Sequence, residues 1–382
     1  MVLIIENIGQ IVTGDIHNPI NDSDAITIRD GRIAGFDAER DADATVIDAN
    51  GTTVIPGLID SQIHPVIGGY TPKQNCADWP ENYLRGGVTT GVSYGELHAA
   101  GWPFGREGTK ALAVLANRSY KNADVGMDIK AGTVTVNASL EEQDFHELAE
   151  KDIERAKFLG PVESIDTTNQ YAGWAKDAGQ LVIIHCGGAS VDEGTGADLL
   201  TEVNPDVVAH INGGFAALPV DETKRVIDET DSYMDVIECG NRRRAVDVVE
   251  YLIERDELQR LILGTDTPTG FGVVPLGILS QICTLTAFTD LRPEQTICAA
   301  TGNTGRAHRL ESGTLEEGSP ADLLIVDKSS GVQGDGALES IDAGNMIGIS
   351  KVITDGEVAV DFEDKEEERM APYPDRMATQ VR

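Results

Sequence analysis

LVIIHCGG at residues 181–188 is a short apolar run, and it is followed at regular intervals by PDVVAHING (205–213), YMDVIECGN (233–241) and LILGTD (261–266). Amphipathic stretches such as NRRRAVDVVEYLIERDEL separate these runs. Apolar strands that alternate with helices predict a parallel sheet covered on both faces. Upstream runs at 54–60, 88–96, 111–116 and 156–164 bring the total to about eight units, which predicts a (β/α)8 barrel, a TIM-like barrel in the α/β class.

The two ends of the chain have a different pattern. Residues 1–56 and the segments GTLEEGSPADLLIVD and GISKVITDGEVAV contain short runs of alternating polarity, and Asp30-Gly31 predicts a hairpin turn. We therefore predict a composite β-sandwich from residues 1–56 and 314–362, and a barrel over 57–313. The charged tail at 363–382 is expected to be poorly ordered.

The 382-residue chain is strongly acidic, with 64 Asp and Glu against 30 Lys and Arg and a formal net charge of −34. This charge excludes a nucleic-acid-binding surface and an anionic membrane surface as partners. Because the acidic residues are spread along the chain, we predict a halophilic protein in which molar salt screens the self-repulsion.

Location is predicted from three further features. The five cysteines are dispersed and form no Cys-x-x-Cys pair, which does not suggest a disulfide framework. No signal peptide and no apolar run of membrane-spanning length is apparent. We therefore expect a cytoplasmic protein.

Four of the predicted strands end in residues that can bind metal or transfer protons: Glu163, His185, His210 and Asp266. Functional residues of such barrels gather at the carboxyl ends of the strands. One carboxylate and two imidazoles suit a zinc or iron site with an open position for water, and Asp266 would take the proton of that water. Each residue alone could instead be a satisfied core residue, but four at the same end favour a site.

Gln62 and His64 lie near the end of the first barrel strand and point the same way, because side chains two apart share a face. A His-x-His pair here would form a strong second metal site, whereas Gln62 offers only a neutral amide. His64 could be a metal ligand, a substrate contact or a packed residue. Both are candidate metal ligands, and His64 is also a candidate catalytic residue.

The motifs at both ends of the barrel resemble those of the amidohydrolase superfamily, namely GTTVIPGLIDSQIH (51–64) and ATGNTGRAHRLESGTLEEGSPADLLIVD (300–327). The middle segments HCGGAS, NPDVVAHINGGF, DVIECGN, LGTDTPTGFGVVPLGIL and CAATGNTG resemble the enamidase-like branch of that superfamily. The resemblance implies a metal site in a barrel with a small β-sandwich, in a homo-oligomer, with a tetramer suggested. It also implies hydrolysis of a cyclic enamide.

Carried over to this sequence, the resemblance makes His185 and His210 metal ligands and Asp266 the general base and acid. Two positions differ: Gln62 replaces the first histidine of the His-x-His pair, and Glu163 aligns with a bridging carboxylated lysine. Together these changes are similar to sugar-phosphate deacetylases of the superfamily. They predict one zinc or iron per chain, held by Glu163, His185 and His210, with a second metal absent or weak.

The predicted function is hydrolysis of a C–N bond in a small cyclic amide or enamide by metal-activated water. The alternatives are a mononuclear deaminase of a heterocycle and a degenerate, non-catalytic barrel. Lys73, Arg85, Arg106 and Lys130 are candidates for holding a substrate carboxylate, or are surface residues that pair with the acidic excess.

Overall fold

The computed structural model describes residues 2–36, 43–65, 79–96, 103, 105–123, 125–187, 196–214, 216–364 and 367–381. The middle of the chain forms parallel strands, which are β8 (Leu58–Ile63), β9 (Val88–Ser93), β10 (Asp128–Lys130), β11 (Val134–Thr135), β12 (Arg155–Phe158), β13 (Leu181–His185), β14 (Val207–Ala209), β15 (Tyr233–Ile237) and β16 (Leu261–Gly264). They follow a sandwich region whose strands are β1 (Val2–Glu6), β2 (Gln10–Val12), β3 (Ile20–Asn21), β4 (Ile26–Arg29), β5 (Arg32–Phe36), β6 (Thr45–Asp48) and β7 (Thr53–Pro56).

The parallel strands form two sheets, in the orders β10-β9-β8 and β11-β12-β13-β14-β15-β16. β10 and β11 act as two halves of one strand, because β10 pairs with β9 and β11 pairs with β12. Counted this way, the described strands occupy the eight positions of a (β/α)8 barrel, and the predicted fold class is confirmed.

The first and last barrel strands meet at the end where the candidate site residues lie. The backbone N–H of Asp266 donates to the carbonyl oxygen of Gln62 at 2.9 Å. The backbone N–H of His64 donates to the carbonyl oxygen of Thr267 at 2.7 Å. Gly264 makes this approach possible, because a Cβ atom there would lie 2.7 Å from Oγ of Ser61.

Helices cover the outside of the barrel. They are α1 (Trp79–Arg85), α2 (Gly105–Lys121), α3 (Glu142–Ala149), α4 (Ile165–Asp177), α5 (Ala197–Val203), α6 (Val220–Glu229), α7 (Arg242–Glu254), α8 (Gly277–Phe288), α9 (Pro293–Cys298) and α10 (Thr304–Ala307), with a 3-10 turn at Leu258–Arg260 and a π-helical turn at Ala299–Asn303. Polar side chains cap two of them: Ser164 accepts from the N–H of Thr167 at 3.1 Å, and Asn241 accepts from Arg244 at 3.0 Å. Among the described residues, no helix has the length and apolar character needed to cross a membrane.

The C-terminal elements are β17 (Leu323–Lys328), α11 (Ala337–Asp342), β18 (Ile347–Thr354), β19 (Glu357–Asp361) and β20 (Thr379–Val381). Together with the N-terminal strands they form two sheets, ordered β20-β6-β1-β4-β5 and β19-β18-β17-β7-β2-β3. A buried apolar cluster that includes Ile5, Ile26, Val54 and Ile325 lies in this part of the molecule. Asp30 and Gly31 form the hairpin between β4 and β5, both with positive φ (49° and 79°), as predicted.

The expectation of a poorly ordered tail at 363–382 needs correction for residues 367–381. Strand β20 pairs with β6, and Ala378 is fully buried. The guanidinium group of Arg376 donates to both carboxylate oxygens of Asp327, at 2.9 and 3.0 Å, and the Asp327 side chain is fully buried. The charged composition of the tail therefore serves a specific buried ion pair as well as solvation.

Candidate active site

Four side chains from three different barrel strands converge at the carboxyl ends of those strands, which is where the sequence predicts the catalytic residues. Nε2 of Gln62 lies 2.9 Å from Oδ1 of Asp266, contacts Nε2 of His210, and lies 3.4 Å from Nε2 of His64. Nε2 of His64 lies 2.9 Å from the same Oδ1. These four residues, which we call the Asp266 cluster, are all buried.

His185 joins the cluster through His210. Their rings are 4.5 Å apart and nearly perpendicular. Burial and the nearby Lys157 charge lower the pKa of His185 to about 4, and burial with the neighbouring His185 lowers the pKa of His210 well below its usual range. Both imidazoles are therefore neutral near pH 7, which is the form that binds metal ions.

The backbone of two cluster residues is in the left-handed region. His210, with φ of 55°, directly follows β14. Asp266, with φ of 59°, lies two residues after the end of β16. Such conformations are uncommon for residues with a Cβ atom and concentrate at functional sites. The backbone N–H of Gly270 donates to the carbonyl oxygen of Asp266 at 2.9 Å, and this hydrogen bond stabilises the turn.

The charge state of Asp266 follows from its surroundings. Burial by itself would raise its pKa, but the hydrogen bond with His64 and the interaction with His210 lower it well below the usual range. Asp266 is therefore ionised at neutral pH and can accept a proton.

The structure does not bring Glu163 to this cluster, which corrects the predicted ligand set. Strand β12 ends at Phe158, and Glu163 lies five residues later in a turn, with an exposed side chain. The carboxylate therefore lies in solvent and is not among the residues that face the barrel interior.

Lys157 of β12 faces the barrel interior beside Tyr94, and no role was predicted for it from the sequence. Only 1% of Lys157 is exposed, and its Nζ atom has no hydrogen-bond partner. Burial lowers the pKa of Lys157 to about 7, partly offset by the carboxylates of Asp235 and Asp266. The available signal was a lysine between the apolar residues Ala156 and Phe158 of a barrel strand.

A polar layer lies beside Lys157 inside the barrel. Nζ of Lys157 is 4.8 Å from the centre of the Tyr94 ring, and Ser61 donates a short hydrogen bond to Asp235. Burial raises the pKa of Asp235 to about 7, with Ser61 and Lys157 opposing the rise. Asp235 was present in the quoted strand YMDVIECGN, but no role was predicted for it.

Three of the four basic residues proposed to hold a substrate carboxylate lie within the described ranges, and each of the three forms an ion pair with a carboxylate of the protein itself. Arg85 contacts Glu367 at 2.7 Å, Arg106 contacts Asp144 at 2.8 Å, and Lys130 contacts Asp128 at 2.6 Å. Lys73 lies outside the described residues. A cavity of about 660 Å³ lined by Lys130 and Arg155 includes the amino-terminal residue of β12, at the opposite end of that strand from the site.

The side chains that meet here are of types that bind metal ions. Within the described ranges, however, no three His, Cys, Asp or Glu side chains form a compact metal-binding group by themselves. Nδ1 of His210, Oε1 of Gln62 and Nζ of Lys157 are buried without hydrogen-bond partners. Neutral imidazoles, an ionised aspartate and an unpaired lysine amine thus converge on one region. A further ligand would have to be of another type, or come from outside the described residues.

These features define a cluster of potential metal ligands and proton-transfer groups at one end of a (β/α)8 barrel, and the comparisons identify the family. Residues 53–359 match the model of the amidohydrolase family, and this chain belongs to that family. Members of the family are generally metal-dependent.

The chain is similar to enamidase from Eubacterium barkeri, with 40% identity over 366 residues, covering 94% of this chain and 95% of that protein. A crystal structure of enamidase matches with a TM-score of 0.94 and 38% identity, covering all of both chains. Imidazolonepropionase from Salinispora arenicola is 27% identical over 86% of this chain and 93% of its own length. The chain is thus an enamidase homologue and a hydrolase of non-peptide C–N bonds.

Proposed function

We propose that this protein hydrolyses the C–N bond of a small cyclic enamide and so opens the ring. The observation that carries the proposal is the convergence of His64, His210 and Asp266 around Gln62 at one end of the barrel. The similarity to enamidase over nearly the whole chain supports the substrate class.

The metal ligands in this proposal are His185 and His210, together with Lys157 in place of Glu163. A neutral lysine amine reacts with CO2 and releases a proton, which leaves a carbamate with two oxygen donors. Lys157, buried and with its pKa lowered to about 7, suits this reaction. The resemblance noted from the sequence also implies a carboxylated lysine in the site, which aligns there with Glu163; we propose that Lys157 takes this role instead.

The bound metal, which we propose is zinc or iron, would supply an activated water and polarise the carbonyl oxygen. Asp266 takes a proton from the water as the water oxygen bonds to the carbonyl carbon. Asp266 then gives this proton to the ring nitrogen as the C–N bond breaks. His64 lies against Asp266 and orients its carboxylate.

We propose that one metal per chain is bound firmly, because of the residue at position 62, which is Gln62. Its amide lies where the first histidine of a His-x-His pair would lie, and an amide is a poor zinc ligand. A homo-oligomer, which only the family resemblance suggests, is part of the proposal. A cytoplasmic location and adaptation to high salt complete it, and the sequence features described above support these two.

The test is metal content together with turnover. Protein purified in high salt without chelator would be analysed for metal per chain by elemental mass spectrometry, then incubated with five- and six-membered cyclic enamides and amides. We expect about one zinc or iron per chain and a ring-opened acid as product. Ammonia release with the ring intact would indicate a deaminase, and a metal-loaded protein that hydrolyses none of the panel would refute the proposal.

A further inference from the structure

The two carboxylate oxygens of Asp266 have different surroundings. Oδ1 lies 2.9 Å from Nε2 of Gln62 and 2.9 Å from Nε2 of His64. Oδ2 has a contact of another kind, with the thiol of Cys239, whose Sγ donates to it at 3.5 Å. Two nitrogen groups thus surround one oxygen, and a sulfur group faces the other.

Local backbone structure places Cys239 beside Asp266. Cys239 follows β15, where the N–H of Glu238 donates to the carbonyl oxygen of Gly264 at 2.9 Å. Gly270 packs directly against the thiol, since a Cβ atom at Gly270 would lie 2.3 Å from Sγ. The N–H of Gly270 also donates to the carbonyl oxygen of Asp266, so the three residues form one tightly packed unit.

The thiol of Cys239 is protonated and can act as a donor. Burial raises the pKa of Cys239 well above its usual range, and the negative charge of Asp266 raises it further. A thiol is a weak donor compared with an amide or imidazole N–H. Oδ2 therefore keeps more of its basicity than Oδ1, while the thiol still fixes its direction.

Two other atoms show that a ligand belongs beside this pair. Nδ1 of His210 and Oε1 of Gln62 are both buried without hydrogen-bond partners, and His210 is only 5% exposed. Buried polar atoms in native structures are normally satisfied. The region next to Asp266 is thus built to receive polar groups.

We propose that Cys239 is a positioning residue that holds Asp266 so that Oδ2 is the proton-transferring oxygen. This rests on the proposed function. Oδ2 accepts a proton from water as the remaining hydroxyl oxygen bonds to the carbonyl carbon. The same proton then passes to the ring nitrogen as the C–N bond breaks, which yields one ring-opened molecule that carries both the new carboxylic acid and the released nitrogen. The thiol keeps its own proton throughout.

The kinetic test compares Cys239→Ala and Cys239→Ser with the matched control Cys283→Ala. The thiol of Cys283 is a donor too, but it is buried elsewhere and donates to the carbonyl oxygen of Asn345 at 3.3 Å. We expect Cys239→Ala to lower kcat about tenfold, as for loss of one hydrogen bond to a charged group, with KM and metal content unchanged. Cys239→Ser should restore kcat, and Cys283→Ala should behave as wild type.

Wild-type kcat in Cys239→Ala would overturn the proposal, as would loss of metal in both Cys239 variants. A second readout needs no turnover: the S–H stretching band of Cys239, isolated as the infrared difference between wild type and Cys239→Ala. We expect Asp266→Asn to shift this band to higher frequency, because a neutral amide is a weaker acceptor. An unshifted band would overturn the proposal, whereas absence of any cyclic-enamide hydrolysis by wild type would refute only the proposed function.

Discussion

Nε2 of His64 lies 2.9 Å from Oδ1 of Asp266, while Nδ1 of the same ring lies 2.6 Å from the carbonyl oxygen of Gly95. A carbonyl oxygen can only accept, so Nδ1 carries a proton. With its proton on Nδ1, a neutral ring has no hydrogen on Nε2, so the contact of Nε2 with the carboxylate requires either a second proton on the ring or a cation between the two atoms. This relationship joins the first and last barrel strands at the point where we place the chemistry.

The role of Asp266 is tested by Asp266→Asn. Asparagine preserves the shape of the side chain but cannot accept the water proton, so kcat should fall by about 10²–10⁴-fold while the metal content stays the same. Asp290→Asn, at an exposed position, is the matched control and should leave kcat unchanged. Wild-type turnover in Asp266→Asn would show that another group is the base.

The correction of the ligand set is tested by comparing Lys157→Met with Glu163→Gln. Lys157→Met should lose bound metal and activity, yet its melting temperature in the metal-free state should not fall, because an unpaired buried amine is replaced by an apolar group of similar length. Glu163→Gln, at an exposed position, should keep metal and activity. Metal loss in the Glu163 variant alone would restore the original prediction.

The number of metals is tested by Gln62→His, which recreates a His-x-His pair with His64. Because Gln62 and His64 lie beside Asp266, the new imidazole should complete a second site. We expect elemental mass spectrometry to give about two metals per chain, compared with about one in wild type. The control is Gln62→Leu, which should stay at about one metal. Two metals in the wild type would mean that the Gln62 amide does not prevent a second site.

The pH dependence of stability is tested at Asp60. Burial raises the pKa of Asp60 from 3.8 to about 7, although hydrogen bonds with Thr265 oppose the rise. The folded state therefore holds a proton that the unfolded state has lost between about pH 4 and 7, so the stabilisation is complete below pH 4 and declines as the pH rises through 7.

Asp60→Asn mimics the protonated side chain, since its Nδ2 can donate to Oγ1 of Thr265, which lies 2.5 Å from Oδ2 of Asp60. Urea unfolding between pH 5 and 8 should show a weaker decline of the unfolding free energy in this variant. Some decline should remain, because burial also raises the pKa of Asp235 to about 7. An unchanged slope would mean that Asp60 is ionised in the folded protein.

The effect of salt follows from the net charge of −34. Raising KCl from dilute buffer to molar concentration should raise the melting temperature, because shorter screening lengths reduce repulsion between surface carboxylates. Sucrose at matched osmolality is the control, since it favours compact states without screening charge. Equal melting temperatures in dilute buffer and molar KCl would rule out the halophilic interpretation.

The sequence by itself determined the barrel and five of the residues that meet in it. The alternation of apolar strands with amphipathic helices is a local property, and His185, His210 and Asp266 could be recognised because they come at the ends of such strands. His64 could be paired with Gln62 because side chains two apart on a strand share a face.

Only the tertiary structure decided which charged groups face inward and what they touch. Glu163 and Lys157 are six positions apart in one segment, and strand β12 ends between them, so the lysine faces the interior and the carboxylate faces solvent. Likewise, the contact of Cys239 with Asp266 and the burial of Asp327 against Arg376 join distant parts of the chain. Sequence periodicity reports which face of an element is apolar, whereas strand ends, turns and long-range pairing depend on how the elements pack.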